Sequence, residues 1–191
     1  MPTHVALLRG INVGGGGKLP MADLRTLVSS LGHRDVKTYI QSGNVLFTPA
    51  GSHPAGAGSS ALAAELQAAI TEKFGLRTSA VVISCAELAG VISANPYPGE
   101  PEPRYVHGIF LAAEPGEAGV DWVREQVAAA QNQGSRDEAT FAGRVLYVHT
   151  PDGFGTSELA KALLTKRASP AAAGTARNWN TITKLLALCA E

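Results

Sequence analysis

At 191 residues the chain is long enough for one domain or two small ones, and 45% hydrophobic against 17% charged residues excludes a disordered chain. Lys and Arg number 16, as do Asp and Glu, so it lacks the net positive charge of a dedicated nucleic-acid or membrane-surface binder.

Residues 5–8 form a fully apolar run ending at Arg9 and Gly10, the pattern of a buried central strand. A loop with four glycines, 14–17, leads to Pro20, which opens a helix. Met21, Leu24, Leu27, Val28 and Leu31 recur at helical spacing, and Gly32 is its stop. Strands over 36–40 and 44–47 are joined by a tight turn around Ser42 and Gly43. The stretch 51–60, rich in Gly, Ser, Ala and Pro, reads as a flexible surface loop. Ser59 or Ser60 would cap a helix running to Phe74, with Gly75 behind it and a strand over 79–83 after that. The order β-α-β-β-α-β is that of a ferredoxin-like unit.

The second half repeats this order: a linking helix over 87–93, a Pro-rich joint over 95–103, a strand over 105–111, a helix over 121–130, a hairpin of 140–141 with 145–148, a helix over 157–164, a strand over 172–176, and an extra terminal helix over 179–188. The hairpins also align in letters, 42–47 with 142–147. The expected fold is therefore α+β: two tandem ferredoxin-like (βαββαβ) units with an extra C-terminal helix. Residues 1–84 form the first unit, 85–103 a linker with a short helix, and 104–191 the second unit with that helix.

In such a sheet the first strand ends beside the hairpin of strands two and three. That topology gathers Arg9, Asn12, Gln41, Ser42 and Asn44 at one edge, with the glycine loop leaving from it. Leu111, Ala112, Ala142, Gly143 and Arg144 mark the corresponding edge of the second unit, which is bland apart from Arg144. The Arg177-Asn178-Trp179-Asn180-Thr181 segment leads into the last helix. There Asn178 or Asn180 suits an N-cap, or the helix N-terminus with Arg177 suits an anion. The chemistry of both clusters is recognition by amides, a hydroxyl and guanidinium groups, suited to phosphate, carboxylate or a nucleobase edge.

Other chemistries find no pattern. The Walker loop fails at Gly17-Lys18, because Leu19 follows, and at 152–157; Gly-x-Gly-x-x-Gly is not met at the N-terminal loop. His4, His33, His53, His107 and His149 are scattered without ligand spacing, so no metal is expected. No nucleophile elbow occurs and neither cysteine neighbours a histidine. Ser157 and Lys161, one turn apart, read as a helix-start serine and a solvated lysine. Cys85 and Cys189 are too few for a disulfide framework, and unpaired thiols in a reducing compartment are expected. The first residues lack the basic region of a secretory signal, and the apolar run to Arg9 is too short to span a bilayer. A soluble, cytoplasmic protein without membrane partners is expected.

Three stretches, 7–14, 39–45 and 176–181, resemble the bacterial family called domain of unknown function 1697. They lie at both ends of the chain, so the resemblance spans nearly its full length. It implies tandem ferredoxin-like units and supplies no reaction, substrate or cofactor. The expectation is a cytosolic binding protein, or an enzyme of unidentified reaction, for a small anionic or nucleotide-like ligand. Its ligand-binding residues would be Arg9, Asn12, Gln41, Ser42 and Asn44, completed by Arg177, Asn178 and Asn180. No cofactor and no nucleic-acid partner are expected, and the sequence carries no signal for an oligomeric state. Two alternatives stay open: RNA or single-strand binding on an open sheet, against which the zero net charge counts, and a protein–protein interaction module.

Overall fold

A computed structural model describes residues 1–12, 18–51 and 57–191. They divide into two units: the first comprises Met1–Gly90 together with Lys184–Glu191, the second Val91–Thr183.

The first unit contains β1 (His4–Arg9), α1 (Met21–Ser30), β2 (Arg34–Tyr39), β3 (Asn44–Thr48), α2 (Ala57–Phe74) and β4 (Ser79–Ser84). The strands form an antiparallel sheet in the order β2-β3-β1-β4. Strand alternation sends Ala6, Leu8, Val45, Phe47, Ala80 and Val82 to one face, where they pack with Leu24, Leu27 and Val28 of α1 and Leu62, Leu66 and Ile70 of α2. Both helices end on a glycine in the left-handed region, Gly32 (φ +87°) and Gly75 (φ +66°), the conformation that ends a helix without a Cβ clash.

A linking helix, α3 (Cys85–Ser93), and a 3₁₀ turn (Pro103–Tyr105) precede β5 (Val106–Phe110). Then come α4 (Glu117–Asn132), β6 (Glu138–Ala142), β7 (Val145–His149), α5 (Glu158–Thr165), β8 (Thr175–Asn178) and α6 (Trp179–Cys189). The second sheet has the order β6-β7-β5-β8 and is again antiparallel. Ile109, Leu111, Leu146 and Val148 pack with Val123 of α4 and with Leu159 and Leu163 of α5. Gly108 in β5 admits Ile182 of α6: a Cβ there would stand 3.0 Å from its Cδ1. The described residues thus make an α+β fold of two four-stranded antiparallel sheets and six helices. None of these helices is long and apolar enough to cross a membrane.

Several local expectations shift. Of the stretch 51–60, residues 52–56 lie outside the described residues and the chain is helical from Ala57, so Ser59 and Ser60 sit inside α2 and do not mark its start. Helix α4 starts four residues earlier than its apolar pattern, at Glu117 behind Gly116. The expected strand over 172–176 begins at Thr175, because Pro170–Ala173 makes a 3₁₀ turn: Ser169 accepts the N–H of Ala171 and Pro170 supplies a fixed φ at its start. Alanine has little strand preference of its own to resist this.

The letter match between the hairpins is out of step by one residue. Val45 and Phe47 face the first core, but Leu146 and Val148, not Val145 and Tyr147, face the second. A one-residue slip turns a strand over, so the letters do not mark equivalent positions in the two hairpins. The cysteines also depart from expectation. Cys85, the first residue of α3, and Cys189, the last of α6, are joined in a disulfide with Cα atoms 6.1 Å apart. Their separation of 104 residues in sequence hid the pairing.

On β5, His107 stacks on Phe154 with ring centroids 3.8 Å apart. Its Nδ1 is buried and reaches no hydrogen-bond partner among the described residues. Burial pushes its pKa down to about 4 from 6.5. The unfolded chain therefore takes up this proton first as the pH falls, and the neutral ring's contribution is complete above pH 6.5 and is lost between pH 6.5 and 4. Replacing His107 with Phe should remove about 2–3 kcal/mol of pH dependence from that interval, read from urea midpoints at pH 7 and pH 4.

Candidate functional site

The edge where β1 ends is built by the hairpin beside it. Leu7 pairs with Asn44, and the Leu8 N–H donates to the Gly43 carbonyl at 2.8 Å. Tyr39 pairs with Asn44, which leaves Ile40, Gln41, Ser42 and Gly43 as a four-residue loop. In the second unit Ala142 pairs with Val145 and only Gly143 and Arg144 remain, with the Leu111 N–H donating to Arg144 at 2.9 Å. The corresponding turn is therefore two residues longer in the first unit, and the extra length carries the polar groups.

Gly43 lies directly on the strand end. A Cβ there would come within 2.6 Å of Ile11 Cδ1 and 2.8 Å of Leu8 Cβ, and its φ is +81°. Asn44 is fully buried, its Nδ2 donating to the Tyr39 carbonyl (2.9 Å) and to Ser42 Oγ (3.1 Å). That amide closes the loop from inside. Asn12, itself left-handed at φ +57°, does the same from the other side. Its Nδ2 donates to the carbonyls of Leu19 (2.9 Å) and Gln41 (3.0 Å), and its Oδ1 accepts the Leu19 N–H at 2.8 Å. One side chain thereby ties together the end of β1, the entry to α1 and the hairpin. The carbonyl of Arg9 accepts the Thr78 hydroxyl at 2.7 Å, which joins the start of β4 to the same edge.

Ile40 departs from ordinary turn chemistry. It is β-branched yet sits at φ +51°, and 48% of its surface is exposed. A left-handed β-branched residue costs about 1–2 kcal/mol, and such strain collects where the surrounding structure imposes it.

Between these elements lies a pocket of about 410 Å³ lined by Asn12, Lys18, Leu19, Pro20 and Gln41. Lys18 and Gln41 are exposed; the described lining residues include no carboxylate and no histidine. The site offers a cation, a primary amide and an apolar floor, so it can bind and orient but holds no evident general base. In the sequence Lys18 stands only as the lysine of an unmet Walker pattern. Its approach to Gln41 is a product of the Asn12 bonds and has no motif. The glycine loop expected at this edge, 14–17, lies outside the described residues.

The other candidate residues belong to the second unit. Arg177 is buried on β8, its Nη1 donating to Thr175 Oγ1 and to the Ala176 carbonyl, both at 2.8 Å. Burial pushes its guanidinium down to about 10. Asn178 Oδ1 accepts the Thr181 N–H at 2.9 Å, an N-cap for α6. Asn180 is exposed in the first turn of that helix. Ser157 likewise caps α5, accepting the Ala160 N–H at 2.9 Å, while Lys161 is exposed with its Nζ 3.5 Å from Glu158.

A further polar group escaped the sequence reading. His149 Nε2 lies 2.6 Å from Glu100 Oε2, and its ring stacks on Tyr97 at 5.1 Å. The Glu102 backbone N–H, then His149, hold the Glu100 carboxyl below its usual range. Burial, then the charge of Glu138, raises the Tyr97 phenol. The group fastens the Pro-rich segment to β7, and its members are too far apart in sequence to form a motif. Among the described residues no set of three or more His, Cys, Asp or Glu side chains is placed to hold a metal ion.

If Asn44 is structural, Asn44→Ala empties a fully buried position and leaves the half-buried Tyr39 carbonyl without this donor, which should cost about 2 kcal/mol in urea unfolding. Gln41→Ala, at an exposed position, should stay within about 0.5 kcal/mol of the parent. Equal losses for both would contradict this division of labour.

A solved structure of similar fold exists. The conserved bacterial protein SP0830 from Streptococcus pneumoniae superposes with a TM-score of 0.70 at 22% identity, covering 98% of each chain. At that identity the likeness concerns the fold alone. No curated protein matches the chain. The family described as protein of unknown function (DUF1697) matches residues 1–147, which include both strand ends and the hairpin of the candidate site. The chain belongs to the DUF1697 family, whose function is unidentified.

Proposed function

We propose that the first-unit edge binds a small anionic or nucleotide-like ligand. The observation that carries this reading is the pocket of about 410 Å³ lined by Asn12, Lys18, Leu19, Pro20 and Gln41, with a lysine and no described carboxylate. Lys18 would attract the anion and Gln41 would donate through its amide. Asn12, Ser42 and Asn44 would hold the loop in shape, and Arg9 at the strand end would add positive charge. The four-residue hairpin supports the reading as well, because the second unit reaches the same topology with two loop residues fewer.

Each unit is proposed to be a ferredoxin-like repeat, the pair descending from one duplicated ancestor. The common β-α-β-β-α-β order and the matching strand orders β2-β3-β1-β4 and β6-β7-β5-β8 support this. A cytoplasmic location is proposed with it. Arg177, Asn178 and Asn180 are proposed as secondary ligand residues of the second unit, subordinate to the bonds described above.

A thermal-shift series with pyrophosphate and nucleoside monophosphates tests the reading. At ligand concentrations about 100 times Kd the melting temperature should rise by roughly 5–10 °C, and Lys18→Ala and Arg9→Ala should each reduce the rise while melting like the parent without ligand. An unchanged rise in both variants would place binding elsewhere. Flat curves for every compound would remove the anion-site reading.

A further inference from the structure

We propose that the Cys85–Cys189 disulfide is a redox-controlled clasp that pins the C-terminal segment 184–191 to the first unit. Both cysteines belong to the first unit, while residues 91–183 between them form the second. The second unit is thus inserted into the chain of the first, and the disulfide closes the first unit covalently across the two ends of the insertion. Apart from the chain of the second unit itself, this disulfide is the covalent link between 184–191 and residues 1–90.

The two sulfurs differ in surroundings. Cys189 is buried at 8% exposure in the last turn of α6, in line with Ile182 and Leu185 on the helix's buried stripe. Cys85 is half-buried and is the first residue of α3. Its own N–H donates to the Thr3 carbonyl at 2.8 Å and its Sγ lies 3.5 Å from the Pro2 carbonyl, so β1's leading residues fix its position in either redox state. Breaking the bond therefore leaves one end anchored and loosens the other. The buried stripe keeps α6 docked, and the segment changes from tied to reversibly opening.

The exchange balances with a dithiol as reductant. A thiolate of the dithiol attacks Cys85 Sγ, the S–S bond breaks, and Cys189 leaves as a thiolate that takes up a proton. The dithiol's second thiolate then attacks its own sulfur in the mixed disulfide, Cys85 leaves, and the reductant departs as a disulfide. Two electrons pass to the protein, and Cys85 is ready to be the nucleophile in the return direction. In compartments that keep thiols reduced, disulfides that do form are of this transient, sensing kind.

The test uses the full native chain equilibrated in buffers of reduced and oxidised dithiothreitol, without denaturant. Free thiols are trapped with a maleimide and counted by mass, and trypsin cleavage after Lys184 is timed in parallel. The expected result is a single transition in which both thiols appear together, with cleavage after Lys184 about tenfold faster in the reduced form. Cys85→Ser should cleave at the fast rate in every buffer, and Cys189→Ala should reproduce it. The proposal falls if both thiols are free in the most oxidising buffer. It falls equally if the bond resists every native reducing buffer, or if the oxidised and reduced forms are cut at the same rate.

Discussion

The candidate edge depends on one close approach: the backbone of Gly43 lying against Leu8 and Ile11, where a side chain would come within 2.6 Å of its neighbour. This contact sets the hairpin turn on the end of β1. Once it is made, Asn44 faces inward and bonds Tyr39 and Ser42, and the Gln41 carbonyl arrives within reach of Asn12. Asn12 then fixes Leu19, and with it the entrance to α1. The pocket is what remains between these tied elements. Its polar framework is turned inward, and the groups it presents to solvent are Lys18 and Gln41.

This arrangement sorts polar residues by purpose in a way that composition does not. Asn12 and Asn44 look like recognition residues in the sequence, yet their amides are engaged with backbone atoms, where an unmatched group would be costly. Arg177 and Asn178 show the same pattern in the second unit: a buried guanidinium bonded to Thr175 and Ala176, and a helix cap. Here the neighbouring residue, Gln41 beside Asn44 or Lys18 beside Leu19, carries the exposed chemistry.

The element order was legible because periodicity records which side of each strand and helix is buried. The run at 5–8, the helical spacing from Met21 to Leu31 and the stops at Gly32 and Gly75 all reappear in β1, α1 and α2. The proximity of Asn12 to Gln41, and of Asn44 to Ser42, followed from antiparallel topology. What sequence did not show depended on geometry at longer range or on weak local preference. The disulfide joins residues 104 apart. The alanine run before β8 turned on Ser169 and Pro170 where a strand was expected. The hairpin letters matched in a register that the burial pattern rejects, and Lys18 gained its place only through the bonds of Asn12.

We propose this edge, and not the groove between α4 and α5 lined by Gln126, Gln133, Lys161 and Lys166, as the place where a small anion binds. The direct measurement is a titration of the ¹⁵N-labelled chain with pyrophosphate, following backbone and side-chain amide shifts. The account predicts saturable shifts at residues 9–12, 18–20 and 40–44, including the Gln41 side-chain amide. Shifts confined to residues 126–133 and 158–166, or none at any concentration, would contradict it.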